Sequence, residues 1–466
     1  MAVIIIVAIL LLGLVLIATE NFNKINKAAV AMFMGILCWL LYIGYGTSFV
    51  VTEHQIDFLS YLSNNSVTSH SVKEFIANQI FVKYSVVAAE IAIFLMATIS
   101  IIEVLNNNGC FDFIQEWLRT INPTRFLWII AGLTFVLSAN MDNVTTVCLM
   151  LAIMHAMVAD DKARMMYGAV IVLSANCGGA FTVIGDITSL TLWVNGLVTP
   201  TKYTSLLVLP SFAALTTVLI LVSRSLPPKL HLVHTAPPYR GDDTVLTRWQ
   251  RLLLLFVGIG GLWFIPTFHR ITLMPPFVGA LCILALLWIF DELCNRSVLN
   301  SDKMVKKRLP VALQYANIQN LLFFIGLTMA LGAVTETGVL ANFFNWLTKH
   351  LDNNIYFIGA IMGLLSGVLN NVTTLLGNIA VFSQDIVEMH PDFDTLFTEN
   401  GTFWPLLSYT TAMGGSLLSI GSLAGYALMR MENVTLRWYV RHFAGKVLAG
   451  WLVGLIVFYL TVEYIY

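Results

Sequence analysis

Charged residues are scarce in this sequence. Asp, Glu, Lys and Arg together make up 11% of the 466 residues, whereas 58% are hydrophobic. With a mean hydropathy of +0.80, the chain lies far outside the composition of soluble domains. These proportions exclude a soluble enzyme or binding module and identify an integral membrane protein.

Paired cysteines and basic segments are also missing. The six cysteines are scattered without paired spacing, and most of them lie in apolar stretches, which excludes a disulfide framework and a zinc site built from closely spaced thiolates. The formal net charge is −1, and no basic patch with interleaved aromatic residues occurs. Nothing in the sequence therefore indicates nucleic-acid binding.

Apolar windows, in contrast, are abundant, and at about 18 to 26 residues they are long enough for a hydrocarbon core of about 30 Å. The first window has no basic segment before it and no small-residue cleavage site after it, so we interpret it as a retained helix rather than a signal peptide. Two further stretches, near 126–157 and 355–384, have polar residues at their midpoints and are interpreted as hairpins. The predicted spans lie near residues 2–19, 28–46, 80–105, 167–193, 204–222, 252–268, 275–291, 320–345, 404–429 and 443–463.

Lys and Arg are distributed unequally between the predicted loops. If the amino terminus faces outside, the cytoplasmic loops contain 20 of these residues and the opposite loops contain five. Because the positive charge of membrane proteins is concentrated in cytoplasmic loops, we expect both termini to face outside.

A short polar motif occurs once in each half of the chain. The sequence Asp-Asn-Val-Thr-Thr at 142–146 returns 228 positions later, at 370–374, as Asn-Asn-Val-Thr-Thr. The pair Gly178-Gly179 likewise returns as Gly414-Gly415. Since the two halves have the same spans but start on opposite sides, these matches predict inverted repeats.

The predicted fold is an all-α polytopic membrane protein with two inverted-topology repeats, each of five spans, one of them discontinuous, and one re-entrant helical hairpin. Residues 1–226 form the first repeat, whose hairpin enters from the inside. Residues 227–247 form a Pro-rich cytoplasmic linker. Residues 248–466 form the second repeat, whose hairpin enters from the outside.

The first copy of the motif interrupts an apolar stretch, so the chain must turn at bilayer depth. Irregular backbone is tolerated there only where it is buried in protein or lines a cavity, and an Asp costs about 2.5 to 3.5 kcal/mol. The free helix ends and the Asp142 carboxylate together favour a cation, because hard cations prefer carboxylate, amide and carbonyl oxygens. Asn143 follows directly, and Asn370 and Asn371 stand at the matching positions of the second half.

A second carboxylate, that of Asp186, lies in a glycine-rich part of the fourth span. Each Gly weakens a helix by about 1 kcal/mol relative to Ala, which predicts a discontinuous helix with Asp186 at its break. The second half has serines near its own paired glycines but no carboxylate there. The polar residues near the two breaks include Asn176, Thr188, Ser419 and Ser422.

Two buried carboxylates near one another favour their protonated forms through desolvation and mutual repulsion, so we expect Asp142 and Asp186 to titrate as a coupled pair. Competition between a proton and a metal ion for one such site is the minimal mechanism of cation/proton antiport. The alternative is that both residues cap the broken helices and never titrate. Glu90, near the centre of the third span, is a candidate proton relay, and pairing with Lys83 or a polar neighbour is its alternative role.

These motifs resemble those of an NhaD-type sodium/proton antiporter of the ion transporter superfamily. The resemblance rests on segments 138–146, 174–176, 184–189 and 370–374 and extends over nearly the whole chain. It implies exchange of Na⁺ or Li⁺ for H⁺ across a lipid bilayer without a cofactor, a bacterial inner membrane and a homodimer. The ion site that it implies contains Asp142, Asn143, Asn176, Asp186, Thr188, Ser366, Asn371, Ser419 and Ser422, to which the repeat adds Asn370 as the counterpart of Asp142.

Two other functions stay open. A sodium-coupled anion or dicarboxylate symporter of the same superfamily predicts a cationic or amide-rich anion pocket, and no Arg or Lys lies at either hairpin tip. An intramembrane aspartyl protease would use Asp142 and Asp186 as its dyad, but its Gly-x-Gly-Asp motif needs Gly at 183, where Val183 stands. We therefore expect a transporter rather than an enzyme.

Overall fold

The computed structural model describes residues 2–20, 24–62, 66–226, 230–231, 246–295, 318–350, 354–382 and 396–465. All regular structure within these residues is helical, which confirms the predicted all-α class. Seven of the helices are long and apolar enough to cross a membrane, so the polytopic character is confirmed as well. The predicted linker at 227–247 lies mostly outside the described residues.

The helices are numbered in chain order. Those of the first half are α1 (Ala2–Ala18), α2 (Lys27–Gly44), α3 (Gly46–Glu53), α4 (Gln55–Leu62), α5 (Ser69–Phe75), α6 (Val82–Asn107), α7 (Asp112–Trp117), α8 (Pro123–Ser138), α9 (Asn143–Met157), α10 (Asp161–Ala180), α11 (Ile187–Val194) and α12 (Pro200–Ser223). Those of the second half are α13 (Arg248–Thr272), α14 (Pro276–Cys294), α15 (Ile318–Thr335), α16 (Val339–His350), α17 (Ile355–Leu369), α18 (Asn371–Val381), α19 (Phe403–Gly414), α20 (Leu423–Met431), α21 (Leu436–Tyr439) and α22 (Gly445–Ile465). Short π-helical segments, Ile76–Phe81 and Val440–Ala444, precede α6 and follow α21.

The chain divides into two compact units. Unit 1 comprises Met1–Ala92, Asn317–Ile358 and Val372–Thr398, and unit 2 comprises Ile93–Ala316, Gly359–Asn371 and Glu399–Tyr466. Each unit therefore contains segments from both halves of the sequence.

Unit 1 is organised around close packing of α2 against α15. A Cβ atom added to Gly35 would lie 2.6 Å from the carbonyl oxygen of Gly326, and one added to Gly326 would overlap the backbone of Met32. Small residues allow two membrane helices to approach at this distance. The indole N–H of Trp39 donates to the carbonyl of Met329 at 2.8 Å, which fixes the pair further.

Unit 2 contains α8 and α9, which the sequence predicts as the first hairpin, and the helices on both sides of the breaks after α10 and α19. α8 packs against α10, and α12 packs along α22. α12 and α22 approach closely at Gly450, where an added Cβ atom would lie only 2.7 Å from the carbonyl oxygen of Ala214. The breaks at 139–142, 181–186 and 415–422 all belong to this unit.

The window near 320–345, predicted as one span, is two helices. α15 ends at Thr335 and α16 begins at Val339. Between them Gly338 has a φ of 72°, in the left-handed region that ends helices and that favours Gly. The same arrangement separates α6 from α7, where Gly109 has a φ of 68°.

Candidate functional site

The ten residues predicted as ion ligands all belong to unit 2. Each of them has no more than 9% of its surface exposed. Polar side chains buried at this density, in a protein whose lipid-facing surface is apolar, are typical of a site that handles a polar substrate. Glu90 is half-buried on α6 and belongs to unit 1.

Asp142 is the N-cap of α9 in the break of the first hairpin. Its Oδ2 atom accepts from the backbone N–H groups of Val144 and Thr145, both at 3.1 Å, and from the Thr145 hydroxyl at 3.3 Å. All of these bonds end on one oxygen. The carboxylate is thus oriented by the helix start, where the N–H groups and the helix dipole stabilise negative charge, while Oδ1 accepts no hydrogen bond from the described residues.

Asp186 is the N-cap of α11, at the break that follows α10. Its Oδ1 accepts from the N–H of Ile187 at 2.9 Å, and its Oδ2 accepts from the Thr188 hydroxyl at 2.6 Å. The side-chain N–H of Asn371 reaches the same Oδ2 at 3.4 Å. Because Asn371 comes from the second-half motif, this contact brings the two halves of the sequence together at one carboxylate.

The two aspartates therefore both cap helices, as one of the sequence interpretations expects. Capping leaves carboxylate oxygen available, since a carboxylate has about four acceptor positions. Asp142 and Asp186 are both buried and belong to the same compact unit. The arrangement places two acidic groups at two helix N-termini in one buried region.

A chain of side-chain hydrogen bonds connects the first hairpin to the break of the second half. The hydroxyl of Ser138 donates to Asn143 Oδ1 at 2.6 Å, and Asn143 Nδ2 donates to Asn176 Oδ1 at 3.2 Å. Asn176 Nδ2 in turn donates to the hydroxyl oxygens of Ser416 at 2.7 Å and Ser422 at 3.5 Å. Three of the predicted ligands are therefore part of one network, in which every amide has a defined orientation.

The remaining predicted ligands lie in α17, directly after α17, and in the break after α19. Asn370, between α17 and α18, has a φ of 79°, a left-handed conformation that Asn tolerates better than most residues. Ser366 is already engaged, since its hydroxyl donates to the Thr411 carbonyl at 2.7 Å. The buried Ser419 hydroxyl has no hydrogen-bond partner among the described residues, so it is available to a ligand.

The breaks in the two halves have matching local geometry. Asp186 has φ −143° and ψ 155°, and Ser422, the N-cap of α20, has φ −144° and ψ 155°. A Cβ atom on Gly178 would overlap the carbonyl of Phe135, and one on Gly414 would overlap the carbonyl of Gly363. In both halves only a glycine lets the interrupted helix approach the hairpin helix this closely.

The residues missed by the sequence interpretation are mostly hydroxyls. Ser416 is fully buried and accepts from Asn176, although Ala180, the matching position in the predicted repeat, has no hydroxyl. Thr146 and Ser174 are fully buried with hydroxyls that have no partner among the described residues. Thr146 is part of the repeated motif and Ser174 belongs to segment 174–176, on which the family resemblance rests, whereas nothing in the sequence distinguishes Ser416 from other serines.

An ion cluster around the buried carboxylate of Glu432 connects the far ends of three site helices. The Glu432 side chain, 2% exposed, follows α20 and accepts from Arg164 Nε on α10 at 3.0 Å. Its other oxygen lies 2.8 Å from Nδ1 of His155 on α9. The helices that begin at Asp142 and Ser422 are thus joined at their opposite ends by Glu432.

Comparison with known proteins gives consistent matches. Residues 14–393 match the family described as citrate transporter, CitMHS. The chain is 28% identical over 451 residues to sodium/proton antiporter 2 of Arabidopsis thaliana, and the aligned region covers 96% of this chain and 97% of that protein. It is 30% identical over 382 residues to sodium/proton antiporter 1 of the same plant, covering 80% and 62%, and 29% identical over 365 residues to the Na⁺/H⁺ antiporter NhaD of Vibrio parahaemolyticus, covering 73% and 82%.

Proposed function

The chain belongs to the citrate transporter (CitMHS) family, and from this premise we propose that it is a secondary transporter that exchanges Na⁺ for H⁺ across its membrane. Its resemblance to NhaD-type proteins of the ion transporter superfamily is confirmed by the relatives. The observation that carries the proposal is the alignment of almost the entire chain with a protein named as a sodium/proton antiporter. The family is one of transporters, so the aspartyl protease alternative is set aside.

The site supports a small cation as the transported substrate. Asp142 and Asp186 supply carboxylate oxygens, and Ser419 offers a buried hydroxyl without a partner among the described residues. Oxygen ligands of this kind suit hard cations. Li⁺ would use the same ligands, and we extend the proposal to it because nothing in this set of oxygens selects against the smaller ion.

The proposed mechanism is competition between a metal ion and protons at the two carboxylates. When the site faces the side with the higher pH, Asp142 and Asp186 release their protons and bind Na⁺. When the site faces the opposite side, protons displace the ion. Two carboxylates release up to two protons per ion, and such exchange is electrogenic, so a membrane potential of 100 mV contributes about 2.3 kcal/mol for each net charge moved.

Helix capping and ion exchange are compatible in this arrangement. Each helix N-terminus offsets part of the desolvation cost of the carboxylate that caps it. Asp142 and Asp186 can therefore ionise although they are buried. The amides of Asn143, Asn176 and Asn371 hold the geometry without adding charge. The net charge of the site therefore depends on its protons and its bound ion.

The family description raises organic anions as the alternative substrate. Two carboxylates would repel a citrate or dicarboxylate anion, and the breaks at 139–142, 181–186 and 415–422 contain no Lys or Arg. Recognition of a carboxylate substrate commonly uses Arg in bidentate pairs. The site therefore favours a metal cation over an organic anion.

The wider architecture is part of the same proposal. The matched caps at Asp186 and Ser422 and the matched glycine contacts support two inverted repeats at 1–226 and 248–466. The protein is a multi-pass membrane protein, and the bacterial inner membrane stays a prediction because the relatives include plant proteins. The homodimer likewise stays a prediction.

Everted membrane vesicles with a pH-sensitive dye test the proposed function. After respiration has acidified the lumen, Na⁺ or Li⁺ should restore the dye fluorescence as protons leave in exchange, and K⁺ or citrate should not. Vesicles from cells without the protein give the background. A response to citrate without a response to Na⁺ would replace the antiporter proposal by anion transport.

A further inference from the structure

Two buried tyrosines occupy equivalent positions beside the two interrupted helices. The hydroxyl of Tyr203, on α12, donates to the carbonyl of Ala180, the last residue of α10, at 2.7 Å. The hydroxyl of Tyr439, the last residue of α21, donates to the carbonyl of Ser416, in the break after α19, at 2.8 Å. Both side chains are almost completely buried, with 1% and 0% of their surface exposed.

The two contacts are related by the repeat. Tyr203 and Tyr439 are 236 positions apart, and so are their acceptors, Ala180 and Ser416. The paired glycines that precede the acceptors are separated by the same 236 positions. The phenol-to-carbonyl contact therefore belongs to the duplicated part of the structure, although the short motifs that identify the repeat do not include it.

The acceptors lie where a carbonyl needs an outside partner. The last carbonyls of a helix have no intrahelical donor, and hydrocarbon offers none in its place. A phenol suits this task because it donates one hydrogen bond and carries no charge. Tyr203 has a second contact, with the Ser408 hydroxyl at 2.6 Å, and since its single proton goes to Ala180, Ser408 must be the donor there.

Each acceptor starts the short segment that ends at a helix cap of the site. Five residues connect Ala180 to Asp186, and five connect Ser416 to Ser422. A hydrogen bond that fixes the first carbonyl of the segment also restricts the position of the segment's last residue, which is the cap, Asp186 or Ser422.

We propose that Tyr203 and Tyr439 are positioning residues for the cation site, each fixing the end of one interrupted helix so that the segment after it delivers its cap to the ion. This inference rests on the proposed exchange of Na⁺ for H⁺. It adds two residues that none of the site motifs contains, and it assigns them the same role in both halves.

Removal of the single hydroxyl tests the inference. Tyr439→Phe keeps the ring and loses one hydrogen bond, and Tyr203→Phe loses the bond to Ala180 together with the contact to Ser408. The net contribution of one hydrogen bond corresponds to about a three- to tenfold change in an equilibrium constant. We expect each variant to raise the Na⁺ concentration for half-maximal exchange by this factor and to leave the maximal rate within about twofold of wild type.

Tyr409→Phe and Tyr167→Phe are matched controls. Both tyrosines are fully buried and donate to a backbone carbonyl, Tyr409 to Trp451 at 3.0 Å and Tyr167 to Pro123 at 3.1 Å, but neither acceptor lies at the break of an interrupted helix. Their half-maximal Na⁺ concentrations should equal that of wild type. If either Tyr203→Phe or Tyr439→Phe fails to reach the membrane, the Na⁺ dependence of the other variant tests the inference.

The outcomes separate this inference from the function on which it rests. Wild-type vesicles without Na⁺-driven proton movement would overturn the proposed exchange itself. If wild-type vesicles are active and the half-maximal Na⁺ concentrations of Tyr203→Phe and Tyr439→Phe equal those of the two controls, the positioning role is overturned while the exchange stands. This holds whether all four values are unchanged or all are shifted equally.

Discussion

Gly179→Ala is the sharpest structural perturbation of the site that avoids its charges. Gly179 lies on α10, and a Cβ atom there would overlap Asn143 Oδ1 and lie 2.8 Å from the carbonyl oxygen of Gly185. A small shift of the Asn143 amide alone cannot make room for the added methyl group, because the Gly185 backbone lies on the other side of it. Asn143 must therefore move away from its partners, Ser138 and Asn176.

The expected cost follows from three contributions. Overpacking of a well-filled interior costs about 1–3 kcal/mol, and loss of the two hydrogen bonds of Asn143 adds about 1–3 kcal/mol. The better helix propensity of Ala returns about 1 kcal/mol. We therefore expect the free energy of unfolding of Gly179→Ala to fall by about 1–5 kcal/mol, together with a loss of apparent affinity for Na⁺.

Gly132→Ala provides the matched control. Gly132 lies inside α8 of the first hairpin, and a Cβ atom there would meet no atom within 4 Å. It should unfold at the same temperature as wild type or slightly above it, and its Na⁺ dependence should be unchanged. The assay is thermal unfolding of the detergent-purified protein with increasing Na⁺. Equal unfolding temperatures and equal Na⁺ dependence for the two variants would refute the account of the close approach at Gly179.

Three further predictions concern carboxylates. Glu432→Gln removes the buried carboxylate of the ion cluster, while Arg164 keeps its pairing with Asp161, so the protein should be destabilised by about 1.5–3 kcal/mol. Thermal unfolding against the exposed Glu463→Gln measures this change, and equal stability of the two variants would show that the cluster contributes nothing. Glu90→Gln should shift the pH profile of exchange in vesicles without abolishing it, and complete loss of exchange would make Glu90 a part of the ion site. Asp142→Asn and Asp186→Asn should each abolish Na⁺-dependent proton movement, and normal exchange by either variant, at normal expression, would make that carboxylate purely structural.

The sequence was sufficient to predict the elements whose signal is local. Asp142 and Asp186 stand out because ionisable residues in apolar stretches are costly, and the structure finds both buried at helix breaks. The break after α10 follows from the glycines of its last turn. The all-α class follows from the length and number of the apolar windows.

Features that depend on spatial apposition could not be predicted in the same way. The contact between Asn176 and Ser416 joins residues 240 positions apart, and no periodicity in either segment indicates it. Tyr203 and Tyr439 were invisible for a similar reason, because a buried tyrosine in an apolar stretch has the pattern of an ordinary core residue. The division of window 320–345 at Gly338 was missed because a single Gly in an apolar run is often tolerated within a helix.

The sequence is compatible with the two aspartates as helix caps and as ion ligands, and the structure shows how one residue can serve both uses. Both carboxylates cap helices, and Asp142 retains an oxygen that accepts no hydrogen bond from the described residues. Residue types and spacing cannot distinguish these uses, since N-cap positions and cation sites both select Asp. The difference lies in whether the carboxylates exchange protons for the ion.

The number of protons released when Na⁺ binds to the purified protein tests that exchange most directly. Calorimetric titration with Na⁺ in two buffers of different ionisation enthalpy gives this number, because the heat of each buffer reports the protons that it takes up. At a pH where Asp142 and Asp186 are protonated in the ion-free protein, we predict release of between one and two protons per Na⁺, and smaller release from either Asp→Asn variant. Binding of Na⁺ to the wild-type protein without any proton release across the active pH range would contradict the competition mechanism.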